Sequence, residues 1–227
     1  MLTNTYSYSY SYLSSFYYGF IPFVVHFISY WAFVGCFYPI DKKFIYNQLT
    51  RQKYLNAVKT SLYNQIIYGL PLSLILSPYI QTAIEKSIDD TFFITIIKII
   101  MIGNISNLLF YLVHRLLHYK YFYRLIHRVH HEYIITVSPC ALYAHPLEYI
   151  IANNLVFIIT YCLIGTTYII GLLLLIFGSL TTTSAHINYK FPFIDNKHLY
   201  HHKKFNYNFG FGTLLDKFFL TDYNINE

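Results

Sequence analysis

The chain has 227 residues, of which 56% are hydrophobic, 21% aromatic and only 11% charged, and its formal net charge is +6. Charged residues make up about a quarter of a soluble domain, so this composition excludes an ordinary soluble domain and points to a bilayer. The positive balance contains no long basic run of the kind nucleic acid requires, and Cys36, Cys140 and Cys162 stand singly. That pattern argues against a nucleic-acid partner, a thiolate zinc ribbon or a disulfide framework, and three reduced thiols suit a cytosolic working face.

Residues 1–15, MLTNTYSYSYSYLSS, form a Tyr/Ser repeat with no basic start; they read as a disordered tail, not a cleaved signal. The region 16–113 predicts three transmembrane helices, at 16–38, 62–80 and 91–113, each close to the roughly 20 apolar residues that a span needs. Gly69 to Pro71 predict a kink in the second. In the first, His26 reads as a polar packing residue. In the third, Lys98 is placed to snorkel to the interface. Asn104, Ser106 and Asn107 are expected to face protein, either in helix packing or along a substrate route, because lipid leaves amides and hydroxyls without partners.

The apolar stretch from Tyr149 to about Leu180 is too long for one span. As a single helix it would reach about 48 Å, against a bilayer core of about 30 Å. Gly165 at its middle predicts a membrane hairpin, two helices of about 16 residues that dip in rather than cross. Charge sets the orientation. The loop 41–61 carries Lys42, Lys43, Arg51, Lys53 and Lys59 against Asp41, whereas 81–90 carries Glu85, Asp89 and Asp90 against Lys86. The basic loop is therefore cytosolic, the acidic one lumenal, and the third helix delivers its C-terminal end to the cytosol. The hairpin returns to that same side.

Ten of the eleven histidines lie between residues 114 and 202. His114 and His118 are spaced H-x3-H. His127, His130 and His131 are spaced H-x2-H-H, as are His198, His201 and His202, and His145 and His186 stand singly between the clusters. On a helix, residues i and i+4 project from one face, so His114 and His118 can grip one metal. In each triplet the first and second histidines are expected to share a metal and the third to reach a neighbouring one. Eight imidazoles, with His145 and His186 as further ligands, exceed what one first-row ion accepts and predict two ions. Spacing leaves iron, zinc, copper and nickel open. The number of nitrogen donors beside lipid favours oxygen chemistry. Glu132, Glu148 and Asp216 are candidates to orient imidazoles by accepting the second N–H.

The segments HRLLHYKYFYRLIHRVHHEY, YAHPLEY, SAHINYKFPF and HLYHHKKFNYNFGFGTLLDKFF, in this order from His114 to Asp222, resemble the fatty acid hydroxylase/sterol desaturase superfamily. HHEY, AHPLE and HINYKFP make the chain most similar to the C-4 methylsterol monooxygenase group. The chain departs from the family pattern at Lys190, where some relatives carry a histidine, at Leu199, where the third box often has Asp, and at Leu220, where Gly-Thr-Asp is common. The resemblance implies an all-α integral membrane bundle with a cytosolic, histidine-rich dimetal cap, its hydroxylase domain spanning 114–227, in the endoplasmic reticulum or an equivalent membrane. It further implies two Fe ions on His114, His118, His127, His130, His131, His198, His201 and His202 as catalytic ligands, O2 as oxidant, and electrons from NAD(P)H through a small b-type cytochrome and its reductase. The implied substrate is a sterol oxidised at a C-4 methyl group. An acyl-chain hydroxylase, a sterol C-5 desaturase and a non-catalytic metal-binding homologue are the alternatives. Arg115, Arg124, Arg128, Lys203 and Lys204 flank the boxes and suit an acidic electron donor or anionic lipid equally.

Overall fold

The computed structural model describes residues 12–47, 49–189 and 197–223, and among these the chain is helical with no strand. Five helices are long and apolar enough to cross a membrane: α1, Tyr12–Tyr46; α2, Arg51–Glu85; α3, Phe92–Leu117; α4, Pro146–Ile164; and α5, Tyr168–Ala185. Two short helices follow, α6 at Lys197–Lys204 and α7 at Thr213–Phe218. Between α3 and α4 lie a short α-helical turn, Lys120–Phe122, a π turn, Tyr123–His127, and 3-10 turns at His130–Glu132 and Ser138–Leu142.

Several expected boundaries are corrected. The end of the supposed tail, Tyr12–Ser15, is helical, and Ser14 donates to Gln81 on α2; residues 1–11 and Lys190 lie outside the described residues. The supposed loop 41–61 is mostly helix: α1 continues past Asp41, and Thr50 starts α2 by accepting the Lys53 N–H at 3.2 Å. At 35 residues each, α1 and α2 are about 52 Å long and so outreach the bilayer. The break foreseen at Gly69–Pro71 takes the form of a π turn, Asn64–Gly69, within an unbroken helix. The hairpin helices are 19 and 18 residues, about 28 Å each, which is enough to cross rather than dip. Gly165 is their turn: its φ is +70°, and a Cβ there would lie 2.5 Å from the Ala83 carbonyl oxygen, so only glycine fits.

Lipid gives helices no hydrophobic reason to associate, so the bundle relies on close packing and polar contacts. Gly19 lets α1 approach the α2 backbone, where a Cβ would meet Leu74 Cα at 3.0 Å. His26 Nδ1 lies 3.0 Å from Ser179 Oγ, joining α1 to α5 as a polar packing residue. Lys98 does not simply snorkel: it pairs with Asp90 at 2.6 Å and donates to Ser87. Asn104 is exposed, contrary to expectation, because its own helix satisfies the amide through the Ile100 carbonyl at 2.8 Å. Ser106 is buried, and Asn107 Oδ1 accepts the Phe211 N–H at 3.2 Å.

The C-terminal part of α1 and the N-terminal part of α2 hold the segment 133–144. Asp41, fully buried, accepts the Ser138 N–H and hydroxyl. Tyr30 and Ser61 donate to the Pro139 carbonyl at 3.1 and 2.7 Å, and Tyr133 donates to the Lys53 carbonyl at 2.8 Å. The basic 42–59 region thus lies on the histidine side of the bundle. The acidic turn after α2 lies at the other end, where Gly165 meets Ala83 and Ser87.

The chain closes through Asn208 and the turn after α7. Asn208 (φ +58°) accepts the Tyr223 N–H at 2.9 Å, and Lys197 pairs with Asp222. Leu220, where the family pattern carries glycine, has φ +57° and is exposed. A left-handed conformation costs an L-residue about 1–2 kcal/mol, part of which glycine returns through its freer unfolded state. Leu220→Gly is therefore expected to stabilise the chain by about 0.5–1 kcal/mol, read as a higher melting temperature in detergent; a lower one would show that the leucine side chain contributes more than its backbone costs.

Candidate metal centre

Nine histidines converge in two groups. His114, His118, His127, His131 and His201 form one; His130, His186, His198 and His202 form the other, and within each group the ligand nitrogens all lie within 4.8 Å of one another. The groups share a wall, with the rings of His131 and His202 4.7 Å apart. His114 comes from the last turn of α3, His186 from the C-cap of α5, and three from α6.

The pairing inside each H-x2-H-H motif differs from expectation. The first and third members share a group, and the second crosses to the other. On an α-helix a step of four residues overshoots a full turn by only about 40°, whereas a step of three falls short by about 60° on the opposite side. His198 and His202 on α6 therefore project together, and His201 leaves from the other flank. His145 is not brought in: it caps α4, its Nδ1 accepting the Leu147 N–H at 3.2 Å. Proline directly after it fixes the helix start there.

The tautomers follow from the hydrogen bonds. A carbonyl can only accept, so an imidazole nitrogen beside it carries the proton. Nδ1 of His114, His130, His186 and His201 donates to the carbonyls of Phe209 (2.7 Å), Tyr143 (3.0 Å), Thr182 (2.8 Å) and Tyr207 (2.6 Å). His127 Nδ1 donates to Glu148 Oε1 at 2.8 Å. The Nε2 atoms of these rings are therefore bare lone pairs, yet they face one another: His114 and His127 at 3.1 Å, His186 and His130 at 3.4 Å. Two lone pairs at that distance repel unless a cation lies between them. Nitrogens bound at right angles to one first-row ion, each about 2.1 Å away, sit about 3.0 Å apart. His202 adds to the case, since both its ring nitrogens are buried without a partner. The donor set fits two transition-metal ions held by imidazole alone.

Burial keeps the rings neutral, as ligands must be. It lowers His130 to about 4, against the opposing Tyr143 hydrogen bond, and lowers His186 to about 3, His118 to about 2, and His127, His131, His198, His201 and His202 as well; at all of these but His130, repulsion between neighbouring rings adds to the effect. Phe209 and Phe205 wall the first group, their rings 5.1 Å from His118 and 4.9 Å from His131.

Of the three acids foreseen as imidazole partners, Glu148 accepts from His127. Glu132 instead accepts from the Tyr143 hydroxyl at 2.7 Å. Asp216 accepts the N–H groups of Phe209 and Gly210 at 2.8 and 2.9 Å and so holds the backbone that serves His114. The sequence carries no direct sign of the carbonyl acceptors, nor of Asn64, whose amide donates to the Leu142 and Ala144 carbonyls at 3.0 and 2.9 Å. A buried amide inside an apolar span was the available signal. Among the flanking cations, Arg115 lies over the Tyr111 and Phe219 rings and Lys204 over Tyr223, while Arg124 and Arg128 are exposed.

Comparison with known proteins agrees with this site. The family model described as fatty acid hydroxylase matches residues 99–221. The chain is 31% identical over 174 residues to fatty acid hydroxylase domain-containing protein 2 of Macaca fascicularis, covering 75% of this chain and 52% of the relative. It is 38% identical over 116 residues to a C-4 methylsterol oxidase of Schizosaccharomyces pombe (44% and 38%), and 36% identical over 116 residues to a fatty acid hydroxylase of Mycosarcoma maydis (50% and 30%). The chain thus spans about half or less of the length of these relatives. No solved structure matches it.

Because the folded chain keeps its imidazoles neutral and the unfolded chain protonates them below about 6.5, the unfolded state binds more protons at low pH and stability falls there. The melting temperature of the metal-free chain in detergent should drop steadily as the pH falls from about 6.5 towards the His130 value of about 4. A midpoint that is flat or rising from pH 7 to 5 would contradict neutral, buried imidazoles.

Proposed function

We propose, on the premise that the chain belongs to the fatty acid hydroxylase family, that it is a membrane-bound non-haem di-iron oxygenase that oxidises a sterol at a C-4 methyl group. The observation that carries this reading is the convergence of nine imidazoles, with deprotonated Nε2 atoms aimed at one another, at the end of an apolar helical bundle. The nine are the proposed iron ligands; His145 is left with its capping role. Two irons held there would supply the oxidation of an unactivated C–H bond to an alcohol, with O2, two electrons and two protons consumed and one water released. The chain itself does the positioning. Carbonyls and Glu148 fix the rings, aromatic walls at Phe205 and Phe209 keep water away, and the lipid-facing helices let an insoluble substrate enter from the bilayer.

The sterol assignment rests on the HHEY, AHPLE and HINYKFP segments and on similarity to the fission-yeast C-4 methylsterol oxidase. The relative named a fatty acid hydroxylase supports the acyl-chain alternative. The positive-inside bias, with Lys42, Lys43, Arg51, Lys53 and Lys59 on the histidine side, supports a cytosolic site in the endoplasmic reticulum or an equivalent membrane. NAD(P)H, through a b-type cytochrome and its reductase, is the proposed electron source, with exposed Arg124 and Arg128 available for an acidic donor.

Expression in cells that lack a methylsterol oxidase should remove the accumulated 4-methyl sterols. Unchanged 4-methyl sterols together with new hydroxylated acyl chains would assign the acyl reading instead. In the same cells, His130→Ala and His201→Ala should each abolish turnover while the chain still inserts in the membrane; retained turnover would remove that residue from the ligand set.

A further inference from the structure

The two histidine groups take their orientation from different parts of the chain. Tyr207 and Phe209, two residues apart in the turn between α6 and α7, supply the carbonyls for His201 and His114, both in the five-histidine group. That turn is held by Asp216, which is buried and accepts the Phe209 and Gly210 N–H groups and the Thr221 hydroxyl, the last at 2.8 Å. Neither carbonyl serves the other group.

In the four-histidine group, His130 donates to the Tyr143 carbonyl. Tyr143 is extended (φ −76°, ψ 96°), so its carbonyl and those of its neighbours point to opposite sides of the strand-like segment. The neighbours, Leu142 and Ala144, both accept from Asn64 Nδ2, and Asn64 is 1% exposed inside α2. Its amide bridges the two flanking peptides and turns the Tyr143 carbonyl toward His130. Ser61, one helical turn earlier, holds Pro139 of the same segment.

We infer that Asp216 and Asn64 are positioning residues for different metal ions, Asp216 for the ion of the five-histidine group and Asn64 for the ion of the four-histidine group. A carboxylate on α7 and an amide within a membrane helix thus tune the two sites separately. This rests on the metal reading above. It adds that the sites fail one at a time.

The test is a cobalt(II) titration of the full chain in detergent, followed by absorption and chelator competition so that two affinities are resolved. Wild type should bind two ions. Loss of an outer partner weakens a metal site about 10–100-fold. Asp216→Asn should therefore weaken one ion by that factor and leave the other, and Asn64→Leu should do the same. The double variant should weaken both, which establishes that the two residues serve different ions. If a variant is not recovered monodisperse and helical, Thr221→Val (for Asp216) or Ser61→Ala (for Asn64) is read in its place, with the same one-ion pattern expected. A general structural role would instead weaken both ions together, and that result overturns the inference. So does a single variant with no effect, or a double variant that weakens only one ion. Wild type binding fewer than two ions would overturn the metal reading itself.

Discussion

One constraint organises five of the nine clustered imidazoles: each donates its Nδ1–H to a fixed acceptor and so presents a bare Nε2 to its neighbours. Only a donated Nδ1–H fixes the tautomer that leaves Nε2 bare. Four rings meet this through main-chain carbonyls and one through Glu148. Those carbonyls come from irregular or terminal backbone, at Tyr143, Thr182, Tyr207 and Phe209, because a carbonyl inside a regular helix is already committed to the residue four ahead. The short π and 3-10 turns between α3 and α4, and the left-handed residues Phe205 and Asn208, supply backbone with free carbonyls in the cap.

Irregular backbone of this kind needs anchoring, and the anchors are polar residues on helices. Asp41, Ser61 and Asn64 hold 138–144, and Asp216 holds 207–212. This accounts for the buried Asn64 within α2, whereas the neighbouring Gln65 joins α2 to α1 by accepting the Trp31 indole N–H at 2.7 Å. The stalk anchors the helices in lipid and also fixes the peptides that aim the histidines. The same hydrogen bonds assist bundle assembly where lipid offers no hydrophobic drive.

The bundle and the histidine set were legible because each rests on a periodic or compositional signal. Apolar runs mark spans, Gly165 marks the hairpin turn, and charge asymmetry correctly separated the basic histidine side from the acidic turn. The partition of the histidines was not legible from counting alone: on α6 helical geometry places His198 with His202, whereas His127 is brought to His131 by the π and 3-10 turns at 123–132, which spacing does not reveal. His145 matched the motif but is held off by Pro146, which starts a helix at that residue. The carbonyl network left almost no trace, since a main-chain acceptor carries no side-chain identity. Its traces were indirect, an amide inside a span at Asn64 and an Asn-Gly-rich turn at 206–212. Leu220 is a further case, a left-handed position (φ +57°) that its side chain does nothing to announce.

The proposed site holds two ions almost wholly by imidazole, five rings on one and four on the other. Iron-edge X-ray absorption on the purified, iron-loaded chain tests it most directly. The account predicts a first shell without sulfur and with imidazole scattering from an average of between four and five rings per ion. A sulfur shell, or scattering from only one or two imidazoles per ion, would contradict it.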